Sequence, residues 1–425
     1  MCVLWPQCVR SRLLSQCGGV VMFEKNREDF PTLREESPPA YLDNACMTLR
    51  PDTVVNAIKD YYELNPGCGG RSVHRYATKV TRHMSIARNK LAELFNTPSV
   101  DEVIFTKNAT HSLNQVAKGL QWEKGDVILT TDREHNSNLV PWLQLEQEQG
   151  VDHQIVPSHA DNTFDLEAFE HACANAGKRL KMVSMSHVGN LDGIHLPVKD
   201  VVKIAKDHGA MVCLDGAQST PHMKVDVQDL GIDFMAFSIH KMMGPSGMGG
   251  LWGRMDLLEN MCSITSGGST VDHSTYEGYT WSKPPARFEG GLGHYAGIVG
   301  TEAAITYMQS IDLDAVHEKE VALNRTMTNI LKDVNGLSII GPEKAELRSG
   351  ICSILFDKLD PHDLAVLLDD AADVLVRSGM HCVHSWFHNK GLQNGSLRAS
   401  AYFYNTQEEV KRFAETLVEA VEALG

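Results

Sequence analysis

Short apolar runs alternate with amphipathic stretches along most of this chain. The runs are DEVIFT (101–106), DVILTT (126–131), HQIVPS (153–158), LKMVSMSHVGN (180–190), AMVCLD (210–215) and FMAFS (234–238). They are too short for helices, and several are apolar at successive rather than alternate positions, as strands buried on both faces are. Between them apolar residues recur at three- and four-residue spacing, in 51–65, 81–96, 106–120, 138–150, 165–176 and 196–209. That spacing predicts helices, and Pro51 suits the start of the first one. Strand–helix alternation over about 200 residues predicts an α/β fold, a mostly parallel sheet with helices on both faces.

Beyond Gly253 the pattern changes. Residues 263–297 are Gly-rich, aromatic and irregular, too long for an idle loop, and are expected at a subunit interface or over a site. Residues 298–334 read as long helical material. The segments 337–341, 351–356, 362–371, 373–379, 396–403 and 407–424 then predict a smaller α+β C-terminal domain. The expected organisation is an extension over 1–21, a segment 22–40 packing with the small domain, a large domain 41–310 and a small domain 311–425. The first 21 residues hold three cysteines and no acid, and Arg10 and Arg12 interrupt their apolar residues. A signal peptide fits poorly there. The expectation is a disordered extension, or a misassigned start with Met22 as the working initiator.

Composition narrows the function. With 425 residues, 43% hydrophobic and 22% charged, the chain has an ordinary globular balance. A net charge of −15 argues against a nucleic-acid surface, which needs clustered Lys and Arg. No apolar run approaches the roughly 20 residues of a membrane span, and aspartates break the best candidate, 364–376. Ten cysteines are scattered without a CxxC pair, which fits free thiols in a reducing cytoplasm.

The candidate chemistry sits where the apolar runs end. AMVCLD delivers Asp215, and FMAFS ends in Ser238 and is followed by Ile239, His240 and Lys241. A lysine just past a buried strand is costly unless its pKa falls or it forms an imine. An acid and a lysine on neighbouring strand ends suit pyridoxal phosphate, though an ordinary salt bridge uses the same residues. Asn108–Thr110 opens a helix after a strand and so presents free N–H groups to a phosphate, or simply caps the helix. Polar residues stand at successive strand ends: Thr110, His135, Asn190, Asp215, Gln218, Ser238, His240 and Lys241. In parallel sheets such ends line the ligand crevice.

A second cluster lies near the C-terminus in RSGMHCVHSWFHNKGLQNGSLRAS. Cys382 stands beside His381 and near His384, with Arg377 before it and Arg398 after it. A thiol among such residues suits a nucleophile, and a buried packing cysteine is the alternative. A metal centre is not expected, because adjacent residues 381 and 382 cannot readily share one tetrahedral ion.

Together the motifs YLDNAC, RSVHRYA, KNATHSLNQVA, EHNSNLVPW, SHVGNLDG, LDGAQSTPHMKVDV, FSIHKMMGPSGMG, RFEGG, VRSGMHC and LRASAYFYNT resemble the class V aminotransferase family of fold type I pyridoxal-phosphate enzymes. The chain is most similar to the SUF-type (group II) cysteine desulfurases from about Phe23 onward. The resemblance implies a mostly parallel seven-stranded sheet and a coenzyme, pyridoxal 5'-phosphate, bound by Lys241 as a Schiff base. It implies that Asp215 pairs with the ring nitrogen, Gln218 with the ring hydroxyl and His135 with the ring face. Ala109 (through its N–H), Thr110, Ser238 and His240 would hold the phosphate. Asn190 and Arg398, with Arg377 and His74, would bind substrate, and Cys382 would accept sulfur from L-cysteine as a persulfide. A homodimer, a sulfur-acceptor protein and a cytoplasmic Fe–S assembly role are implied as well. A selenocysteine lyase, or another class V enzyme such as an aminotransferase or epimerase, is the alternative. The chain departs from the family at Leu292 (usually Thr), Ala109 (often Thr), Gly189 (usually Ser), the VHSW after Cys382, and Cys46 (usually Ala).

Overall fold

The structure is a computed structural model that describes residues 23–424; the expectations for 1–21 and for Met22 lie outside it. β1 (Ala40–Tyr41) precedes seven strands that form one sheet. These are β2 (Val103–Thr106), β3 (Val127–Thr131), β4 (Asp152–Val156), β5 (Leu180–Ser186), β6 (Met211–Asp215), β7 (Phe234–Ser238) and β8 (Gly249–Gly253). Their order is β2-β8-β7-β6-β5-β3-β4, and only β8 runs against its neighbours. The α/β expectation of a mostly parallel seven-stranded sheet holds.

Alternate residues of each strand enter different cores. Val212, Leu214, Met235 and Phe237 pack on one face, and Cys213, Phe234 and Ala236 on the other. Both faces are covered, which is why the runs look continuously apolar. A one-residue slip would exchange the two sets and turn every strand-end side chain to the wrong face. The register Ser186↔Asp215↔Ala236 is therefore held by the core itself.

β8, with the sequence GGLWG, is the one strand of this sheet that is not among the apolar runs read from the sequence. Its glycines are there for close approach. A Cβ on Gly249 would strike the Asn108 backbone, and one on Gly250 would strike the Phe237 ring. Small residues let β8 slide between β2 and β7 and bring the helix Ala109–Gly119 close to the end of β7. Within 263–297 the structure also forms an antiparallel hairpin, β9 (Val271–Ser274) with β10 (Tyr279–Trp281). Its Thr, Tyr and Trp residues favour strands, and the turn closes from Thr275 N to Gly278 O at 2.8 Å. The surrounding glycines hid that signal.

Five further strands follow: β11 (Leu337–Ile339), β12 (Ile351–Phe356), β13 (Val374–Leu375), β14 (Arg377–Gly379) and β15 (Ser396–Ser400). β11, β12, β15 and β14 make an antiparallel sheet in that order. Its separate core includes Leu323, Met327, Ile354, Leu397, Phe413 and Leu417, drawn partly from the helices Leu313–Leu331 and Gln407–Leu424. β1 pairs in parallel with β13 in a separate two-stranded sheet, and Asp43 bridges Ser400 of β15, so the chain just before Cys46 is pinned to the smaller sheet. Among the described residues, no helix is long and apolar enough to cross a membrane.

Candidate active site

The carboxyl ends of β5, β6 and β7 face the edge of the smaller sheet across a cavity of about 240 Å3. Core register puts Asp215 at the end of β6, where its Oδ1 accepts a hydrogen bond from Ala217 N at 3.0 Å. Ser238 ends β7, and one 3-10 turn, Ile239–Lys241, carries His240 and Lys241 onward. Lys241 is half-buried and lines the cavity. The helix Ala109–Gly119 aims its N-terminus at the same space, with Asn108 capping His111 N at 2.9 Å. There Ala109 N donates to Ser238 Oγ at 3.0 Å, and Thr110 Oγ1 meets Ser137 Oγ at 2.6 Å.

The opposite wall comes from the smaller sheet. Arg377 on β14 lies across from Arg398 on β15. Arg398 donates to Asn190 O at 2.8 Å and to Asp43 Oδ1 at 3.1 Å. The turn after β14 presents Cys382, and Arg377 Nη2 donates to its Sγ at 3.8 Å. His381 and Cys382 both hold positive φ, 49° and 62°. That is a strained conformation for side-chain-bearing residues. The turn is tied to the larger sheet by Asn190 Nδ2 donating to His381 O at 2.8 Å and Asn136 N donating to Cys382 O at 2.7 Å.

Of the residues expected to handle coenzyme, substrate or sulfur, all but His74 line this cavity: Ala109, Thr110, His135, Asn190, Asp215, Gln218, Ser238, His240, Lys241, Arg377, Cys382 and Arg398 do. His74 is exposed and caps the helix Arg75–Leu94, its Nδ1 accepting from Ala77 N at 3.4 Å. Ser137 and Ser186 also line the cavity and were not singled out. Ser186 is the last residue of β5, so a strand boundary drawn one residue before His187 would have found it.

Burial governs the charges. It lowers the Lys241 amine, with Arg398 and Arg377 adding to the effect and Asp215 and Cys46 opposing it. It raises the Asp215 carboxyl against the Ala217 hydrogen bond and the Lys241 charge. Burial, helped by Lys241, Arg398 and Arg377, pushes His135 down to about 3. Its Nδ1 accepts from Ser137 N at 3.0 Å, so the ring is neutral. His240 falls to about 4, by burial and then by Lys241 and Arg50. Gln218 Oε1 and Arg398 Nε are buried without a hydrogen-bond partner, although Gln218 Nε2 donates to Ala45 O at 2.7 Å.

This inventory suits a flat cofactor with four handles. A helix N-terminus with hydroxyls beside it matches a phosphate. An acid enclosed beneath the cavity matches a protonated ring nitrogen, and an amine of lowered pKa matches an electrophilic carbonyl. The partnerless Gln218 Oε1 matches a ring hydroxyl. A thiol on the facing wall adds a nucleophile.

Comparison with known proteins agrees with this chemistry. The family model described as aminotransferase class-V matches residues 40–413. A probable cysteine desulfurase of Halalkalibacterium halodurans is 37% identical over 403 residues, covering 93% of this chain and 97% of the relative. One from Streptomyces coelicolor is 37% identical over 415 residues, covering 95% and 98%. Among solved structures, the apo cysteine desulfurase of Thermococcus onnurineus NA1 superposes with a TM-score of 0.89 at 35% identity, covering 94% of this chain and 98% of its own. The cysteine desulfurase CsdA of Escherichia coli, in an S-sulfonic acid form, gives 0.86 at 30%, with the same coverage.

Proposed function

The chain belongs to the class-V aminotransferase family, among its cysteine desulfurases, and we propose that it converts L-cysteine to L-alanine with pyridoxal phosphate as coenzyme and Cys382 as the sulfur acceptor. The observation that carries this reading is one cavity lined by Lys241, Asp215 and Cys382 together. When bound, the coenzyme supplies an aldehyde that condenses with amines and a ring that takes up the electrons of a broken bond to the substrate carbon.

The chain's residues do the rest. Ala109 N–H, Thr110, Ser238 and His240 would hold the phosphate, and the helix end adds a positive dipole. Asp215 would pair with the ring nitrogen and Gln218 with the ring hydroxyl, and neutral His135 would pack on the ring. Arg398 and Asn190 orient the substrate carboxylate, with Arg377 adding charge. Lys241 Nζ, its pKa lowered by burial, takes the proton from the substrate Cα. Cys382 Sγ attacks the substrate sulfur. An S–S bond forms, the C–S bond breaks with its electron pair left on the substrate carbon, where a proton replaces the sulfur to give alanine, and the sulfur stays on Cys382 as a persulfide. Arg377, already donating to Cys382 Sγ, steadies the attacking sulfur.

The same reading includes a division near residue 310 into large and small domains, and a cytoplasmic homodimer that passes sulfur to an acceptor protein. Half-buried Cys382 supports delivery to a partner. Exposed Val73, Tyr276 and Leu292 support pairing of two chains, which would also give His74 a site to reach. Incubating the coenzyme-loaded protein with L-cysteine and a reductant should give alanine and sulfide in equal amounts. Absence of both products, with the coenzyme bound, would reject the reading.

A further inference from the structure

Cys46 lines the same cavity as Cys382, and nothing in the reaction above uses it. Cys173, Cys213 and Cys352 are fully buried, as packing cysteines are, whereas Cys46 and Cys382 are both half-buried. They are also mounted on one frame. Ser400, at the end of β15, accepts from Asn44 Nδ2 at 2.8 Å through its carbonyl and from Ala45 N at 2.9 Å through its hydroxyl. Asp43 pairs with Arg398 on that strand, Arg398 lies across from Arg377, and Arg377 donates to Cys382 Sγ. Both thiols therefore ride on the β14–β15 edge. The Arg377 guanidinium, which burial alone would lower, is raised by charge on Cys46, on Asp43 and on Cys382. A single cation thus lies within electrostatic reach of both sulfurs.

We propose that Cys46 is a second sulfur station, taking the outer sulfur of the Cys382 persulfide so that one site stores two sulfurs. The proposal rests on the desulfurase reading. In the transfer, the Cys46 thiolate attacks the outer sulfur of Cys382–S–SH. A new S–S bond forms at Cys46, the old one breaks, and Cys382 leaves as a thiolate beside Arg377. Protons and electrons balance, and no oxidant or reductant is needed. Cys382 is then free to take sulfur from a second cysteine.

The test uses coenzyme-loaded protein and a few equivalents of L-cysteine without reductant, quenched with an alkylating agent. Alanine is counted per chain, and the extra sulfur is located by peptide mass spectrometry. The expected result is a burst of two alanines, with sulfur on Cys382 first and then on Cys46. Cys46→Ser should halve the burst, and Cys382→Ser should leave Cys46 unloaded. A burst of one with sulfur on Cys382 alone would overturn the relay and leave the desulfurase reading standing. So would an undiminished burst in Cys46→Ser. No alanine at all would overturn the reading and the relay with it. The wild-type peptide map decides the matter even if Cys46→Ser folds poorly.

Discussion

The two walls of the cavity are built on different principles. The wall at the ends of β5, β6 and β7 is an extension of the core. Asp215 and Ser238 are buried strand residues whose direction follows from which neighbours pack on which face. The facing wall is a turn at the edge of a smaller sheet. It holds Cys382 half-exposed on two successive residues of positive φ and relies on a few hydrogen bonds across the cavity. A coenzyme that must be gripped in one geometry belongs on the first kind of wall. A sulfur that must be collected and handed on belongs on the second, where a strained, lightly tethered turn can shift at small cost.

The strongest challenge to this contrast is a pair of deletions. Lys241→Ala should reduce alanine formation about 10^4-fold or more and remove the visible absorbance of the bound coenzyme, since the variant loses both anchor and base. Cys382→Ser should keep that absorbance and lose roughly 10^2- to 10^4-fold in sulfur transfer. Steady-state assays and spectra on both proteins separate the two walls. A spectrum lost in the cysteine variant would mean that the walls are not independent.

Two glycine substitutions outside the cavity probe the same division more gently. Gly249→Ala pushes on the Asn108 backbone and hence on the phosphate-facing helix end. It should weaken coenzyme binding about tenfold, a cost of roughly 1–3 kcal/mol typical of overpacking. Gly395→Ala, at φ 74°, pushes on Gly379 of β14. It should slow sulfur transfer by a similar factor and leave coenzyme affinity unchanged. Coenzyme titration and single-turnover alanine release would show the crossed pattern; equal effects on both quantities would erase it.

Acid should loosen the coenzyme-free protein mainly on the larger-sheet side. Burial holds His135 and His195 at about 3, and His187 and His240 at about 4. The folded state thus binds fewer protons than the unfolded one below about 6.5, the ordinary histidine value. Stability present above that pH is lost as pH falls toward 4, by up to about 1.4 kcal/mol per pH unit for each histidine. Glu134, raised by burial to about 7, acts with the opposite sign, as do the burial-raised carboxyls of Asp215 and Glu320, but burial also lowers His111 and His153, so these are three acids against six histidines. His381, in the cysteine turn, is also lowered by burial and adds to the loss. A melting temperature that drops steadily between pH 6.5 and 5 is the expected result.

Much of the first wall could be read in the sequence because burial on both faces leaves an unbroken apolar run that polar residues punctuate. AMVCLD and FMAFSIHK announce both the strands and their ends. β8 could not be read, because its glycines serve contacts with Asn108 and Phe237 that exist only once the sheet is assembled. The second wall could be read as chemistry but not as place. Cys382, Arg377 and Arg398 stand out by residue type, yet their position opposite Asp215 depends on how two sheets meet. His74 stands out by motif and still lies outside this chain's cavity.

The most direct measurement is to reduce the coenzyme-loaded protein with borohydride, digest it and find which peptide carries the coenzyme. Attachment at Lys241 Nζ is the expected result. Attachment at any other lysine, with Lys241 unmodified, would contradict the assignment of the strand-end wall and the chemistry built on it.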